Sequence, residues 1–146
     1  MDNFTLWGWV RESDGPKLFF DAASVTPSGN YGEKRFWAVG RPYDFYAVHP
    51  EEMKEIGVAT EVSCNDKGEL RVTGFDSSGM GKDAVDLMTA TETDVTYEGG
   101  GTMAPVLLAF KHELAQVKLT VRTGEKQAEV SDIRLFGVDY KGDLLW

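Results

Sequence analysis

The chain has 146 residues, 42% of them hydrophobic, with 15 Lys and Arg against 24 Asp and Glu, a formal net charge of -9. That length suits one domain, residues 1–146, able to bury a core without a disulfide, and the lone Cys64 has no partner for an intramolecular bridge. Acidic surface disfavours a grip on phosphate backbones, so no nucleic acid partner is expected, and no apolar run approaches the ~20 residues of a membrane span.

The opening segment, FTLWGWV at 4–10, alternates aromatics with small or polar residues: Phe4, Leu6 and Gly8 on one parity, Trp7 and Trp9 on the other. It reads as a strand with two apolar faces. The start, MDNFTLWGWV, lacks a basic region, an apolar core of signal length and a small-residue cleavage site, so no export signal is expected within these residues. The turn formers SDGPK lead into a second strand, LFFDAASVT, and PSGNYG closes that strand with another turn. A third strand is expected from Lys34 in KRFWAV, interrupted at Arg41 and Pro42 and resumed in YDFYAV.

Pro50 followed by Glu51 and Glu52 suits a helix N-terminus, and Gly57 limits that helix to about two turns. VATEVSCND and ELRVTGF flank Asn65, Asp66 and Gly68, a hairpin pattern. DSSGMGKDAVDLMTA reads as a loop leading to a short helix or an irregular strand around Leu87 and Met88, and three glycines at 99–101 mark a turning connection. In PVLLAFKHELAQVKLTV, Leu108 and Phe110 share one parity and Val117, Leu119 and Val121 the other. A bulge or short turn over 112–116 is expected to absorb the extra residue and return the chain to the same core. QAEVSDIRLFGVDY and DLLW read as strands separated by a turn at Lys141 and Gly142. Eight to ten short strands with one or two short helical turns, and no βαβ rhythm, indicate an all-β antiparallel sandwich.

Candidate chemistry is thin. His49 and His112 stand 63 residues apart without a local ligand constellation, and Cys64 lies outside any CxxC pair. GMGK at 79–82 fails as a phosphate loop, because Asp76 stands where its first glycine belongs and Asp83 replaces the required Ser or Thr. No EF-hand spacing is present, and no catalytic residue, metal or cofactor is expected. Trp7, Trp9, Trp37 and Trp146, with Tyr31, Tyr43 and Tyr46, fit core filling or assembly contacts, with an exposed platform for sugar rings as the alternative.

Several phrases in order carry a resemblance. FWAVGRPYDFYAVHP at 36–50 contains Trp37 and Phe45; KDAVDLMTA at 82–90 contains Asp86, Leu87 and Met88; and LLAFKHELAQVKLTV at 107–121 contains Phe110, His112, Leu114 and Ala115. With VSDIRLFGVDYKGDL at 130–144, they make the chain resemble the N-terminal domain of the fimbrillin-like major fimbrial subunits of Bacteroides-type bacteria. The resemblance implies a transthyretin-like sandwich and a non-enzymatic structural or adhesive role in a cell-surface fimbria. It also implies a lipid-anchored precursor exported to the outer membrane, a second sandwich following this one, and polymerisation by strand exchange with other fimbrial subunits. The lipoprotein signal with its cysteine, and the second domain, are expected to lie outside these residues. The strand holding Phe4, Leu6, Trp7, Trp9 and Val10 is the candidate element whose removal opens a groove for an incoming strand. A host protein or glycan is a further expected partner.

Overall fold

Two antiparallel sheets are built from eight strands in the computed structural model, which describes residues 2–79, 83–122, 124 and 129–146. The strands are β1 (Phe4–Glu12), β2 (Gly15–Val25), β3 (Pro42–His49), β4 (Glu61–Cys64), β5 (Leu70–Asp76), β6 (Met88–Thr96), β7 (Lys111–His112) and β8 (Lys141–Leu145). The larger sheet has the order β2-β1-β3-β6-β7 and the smaller β4-β5-β8, and neither closes into a barrel.

The two-faced pattern of β1 has a direct structural reason. It lies between β2 and β3, so both its edges are hydrogen-bonded, and both its faces are covered. Phe4, Leu6 and Val10 join Phe20, Val25, Tyr43, Phe45, Ala47 and Ala90 in a core on the outer side of the larger sheet. Trp7 and Trp9 join Val48, Met53, Leu70, Val72, Phe75 and Leu87 in a second core between the sheets. Gly8 makes the outer core fit: a Cβ there would stand 3.0 Å from the Phe45 ring and 3.1 Å from that of Phe20. Strands apolar on both parities are thus what a sheet with two buried faces requires.

The outer core is roofed by chain that is not strand. Loop 26–41 lays Tyr31 and Trp37 on it, and the strap at 103–110 adds Val106, Leu108 and Phe110, whose ring meets Phe4 at 5.0 Å. Here the expected strand at Lys34 is corrected. KRFWAV forms no ladder; Trp37 turns inward against Phe19, Tyr43 and Phe45, Tyr43 Oη accepts from Ala38 N at 2.8 Å, and Phe36 is exposed.

No α-helix occurs among the described residues, and the segment at 51–57 lacks the expected helical turns. After the cis His49–Pro50 bond, 51–57 is a run of turns: Ile56 N donates to Glu52 O, but Met53 O takes both Val58 N and Ala59 N, and Gly57 sits at φ +75°. The fully buried Met53 anchors this segment in the inter-sheet core, so burial of one side chain replaces helical propagation. Of the two alternatives expected around Leu87 and Met88, the strand forms: β6 begins at Met88, directly after Leu87.

The expected hairpin forms as β4–β5, with Gly68 N donating to Asn65 O at 3.0 Å. Its turn rests on Tyr46, with Gly68 at φ +81° directly against that ring. Lys141 and Gly142 are part of β8 rather than a turn, paired with Asp76 and Phe75. Segment 129–140 forms no strand, and neither does 117–122.

Candidate functional site

Assembly of the larger sheet turns on β1, so the site is built around it. Its five expected residues, Phe4, Leu6, Trp7, Trp9 and Val10, are all at most 8% exposed. On one side Thr5 to Val10 pair with Val48 to Tyr43; on the other, Phe4 to Glu12 pair with Val25 to Gly15 through two irregularities flanking Gly8. Charge pins the far end of this strand. Arg11 forks onto Asp44 of β3 at 2.5 and 2.6 Å and reaches Asp94 of β6 at 2.7 Å, spanning three strands. Asp44 also accepts from Asp94 N at 3.0 Å, fixing Asp94 at φ 60° where the β3–β6 register slips. The Arg11 hydrogen bonds hold the Asp44 carboxyl below the usual carboxylate range and raise the guanidinium pKa further.

The family-like phrases meet one another. Met88 pairs with His112 and Thr89 with Lys111 across β6–β7, and Glu113 N donates to Leu87 O at 2.9 Å. His112 Nδ1 lies 2.9 Å from Asp86 Oδ1 on the surface, so the histidine acquires the carboxylate neighbour that its local sequence does not provide. The parity break in this stretch is a crossing. Val106, Leu108 and Phe110 pack on the outer core, whereas Leu114 packs on the inter-sheet core, so β7 carries the chain around the edge of the sheet. It does not return to the same core. Ala115 is exposed, and Val117, Leu119 and Val121 are 55–62% exposed, in place of the inward face expected for them.

Sequence reasoning missed Glu113, which ties the two sheets. Its carboxylate accepts from Thr89 Oγ1 of β6 and from Trp146 Nε1 at 2.8 Å, while Trp146 and Leu70 exchange both main-chain hydrogen bonds. The residue stands next to His112, but nothing in its spacing signals a partner 33 residues away.

The remaining candidates form no catalytic group. His49 is buried with neither ring nitrogen hydrogen-bonded, and the sheet register sets it in one row with His112, the two pairing with Met88 of β6 from opposite sides. Half-buried Cys64 is desolvated, which pushes its thiol up to about 12 and leaves it poorly reactive. Three residues of the GMGK phrase, 80–82, lie outside the described residues. Among the described residues no group of three or more His, Cys, Asp or Glu is placed to hold a metal ion. Of the seven aromatics weighed as a sugar platform, Trp7, Trp9 and Tyr43 are buried, Trp37, Tyr31 and Tyr46 are half-buried, and Trp146 alone is exposed.

What decides the family is the extent of the match. The model of the family described as fimbrillin-like matches residues 1–144, nearly the whole chain. This chain belongs to the fimbrillin-like family. No curated protein and no solved structure matches it. A fimbrillin-like protein is a structural component rather than a catalyst, and membership implies assembly with other fimbrial subunits at the cell surface. Within a fimbrillin-like fold, the pairing of 86–89 with 111–113 gives the two motif segments a shared purpose: they form the edge at which the chain changes cores.

Proposed function

We propose that this protein is a structural or adhesive subunit of a cell-surface fimbria, joined to its neighbours by strand donation at the position of β1. The observation that carries the reading is that β1 is an interior strand of the larger sheet, hydrogen-bonded to β2 and β3 on its two edges. A cut in the turn at Ser13 and Asp14 separates β1 from β2 without severing another strand. Its departure leaves two facing rows of main-chain donors and acceptors on β2 and β3, with apolar pockets above and below. Such a slot recruits an extended segment with the same two-faced pattern. Segment 130–138 of this chain meets that requirement, with Ile133 and Leu135 on one parity and Val130, Phe136 and Val138 on the other, each at least 50% exposed.

On this reading the domain is one part of a subunit with a second domain, delivered as a lipid-anchored precursor to the outer membrane, as the family resemblance suggests. The test is oligomeric state by light scattering and negative-stain microscopy, with β1 intact and after cleavage at a protease site introduced at 13–14. Filaments that appear only after cleavage and release of β1 support strand donation. A monomer that stays folded in both forms contradicts it.

A further inference from the structure

The roof of the outer core does not close completely. Between loop 26–41 and the strap at 103–108 lies a cavity of about 360 Å³, floored by Phe4, Leu6 and Phe45 and walled by Phe20, Trp37 and Val106. No charged side chain lines it, and polar side-chain atoms come only from Ser28, Tyr31 and the Trp37 indole. The space is partly open to solvent, and its lining is mainly aromatic and aliphatic with a smaller polar share. Its volume falls in the range of sites for small organic ligands.

One wall is built rigidly. Thr26 N donates to Asn30 O at 2.9 Å, Gly29 N to Thr26 O at 2.8 Å, Asn30 N to Thr26 Oγ1 at 3.0 Å and Gly32 N to Asn30 Oδ1 at 2.9 Å, fixing the loop that presents Tyr31. The opposite wall, the strap, pairs with no strand until β7. A fixed aromatic wall facing an unpaired strap forms a mouth through which a small molecule can enter without breaking the sheet.

We propose that this cavity is a binding site for an uncharged, ring-bearing apolar small molecule. The aromatic rings favour a planar or ring-shaped body, and the absence of charge excludes an ionised group from the interior. Phe4 and Leu6 of β1 are part of its floor, so binding is measured on the intact chain with β1 in place, where the result does not depend on whether strand donation occurs.

The probe is N-phenyl-1-naphthylamine, an uncharged aromatic fluorophore, titrated into the intact chain with its emission and energy transfer from tryptophan recorded. Saturable binding of one probe per chain is expected. Ala104→Trp, an exposed strap position that reaches the mouth, should weaken binding at least about tenfold by filling the space. Met103→Trp on the same strap serves if that variant does not fold. Ile56→Ser, which removes an exposed apolar side chain outside the cavity lining, should leave affinity unchanged. Absence of saturable binding, undiminished binding in the folded strap variants, or loss in Ile56→Ser would overturn the proposal.

Discussion

Two stretches of this chain carry nearly the same message and meet opposite fates. The segment at 4–10 and the segment at 130–138 both place large apolar residues on both parities, yet every large side chain of the first is at most 8% exposed and each apolar side chain of the second is at least 50% exposed. What separates them is not hydrophobicity but edges. β1 has a hydrogen-bonded neighbour on each side, which holds its two faces against two cores; 130–138 has no ladder, and its apolar groups remain in water. Alternation states what a strand needs, and neighbours decide whether the need is met.

The largest effect expected from this contrast is in stability. Trp7→Ala or Trp9→Ala should cost about 3–5 kcal/mol in denaturant unfolding, enough to unfold a marginal domain. Leu135→Ala or Leu119→Ala should stay within about 0.5 kcal/mol, since neither side chain is buried. Comparable losses at both places would erase the distinction.

Gly68→Ala comes next. The residue sits at φ +81° with its missing Cβ directed at the Tyr46 ring, so strain and overlap add. A loss of about 1–3 kcal/mol is expected, with Tyr46→Ala in the same background relieving the overlap but not the backbone strain. Smaller again is Glu113→Ala, which removes the acceptor shared by Thr89 and Trp146. It should cost about 1 kcal/mol and shift Trp146 fluorescence, whereas Glu113→Gln retains part of both.

The smallest effect is acid-dependent. Asp76 of β5 accepts from Ser78 and lies 2.9 Å from Lys141 of β8, which together lower its carboxyl from 3.8 to about 2. Because the folded state holds the ionised form more strongly, the stability it contributes is complete above about pH 4 and is lost as pH falls towards about 2. Asp76→Asn should flatten that part of the acid-unfolding profile, by an amount limited by solvent screening.

How far the sequence reveals the fold follows the same division. β1, β3 and the β4–β5 hairpin are legible because strand periodicity or turn chemistry marks each one locally. Pro50 and its glutamates imitate a helix start, but the competing demand is tertiary: Met53 is fully buried and its carbonyl closes two turns instead of a helical ladder. Trp37 lies in a strand-like phrase and serves as a roof over the outer core, a role with no periodic signature. The order β2-β1-β3-β6-β7 is a long-range property, so the interior position of β1 is invisible until the sheet is assembled. The Arg11–Asp44–Asp94 and Glu113–Trp146 contacts are missed for the same reason: each joins residues far apart in the chain.

The most direct test of β1 as the replaceable strand is competition by its own sequence. A synthetic peptide of residues 2–12 is titrated into protein cleaved at 13–14 and freed of its first strand, while filament growth is followed by light scattering. The account predicts that the peptide refills the slot at one peptide per chain and suppresses growth in proportion. Filaments that grow at an undiminished rate with the peptide in excess would contradict it.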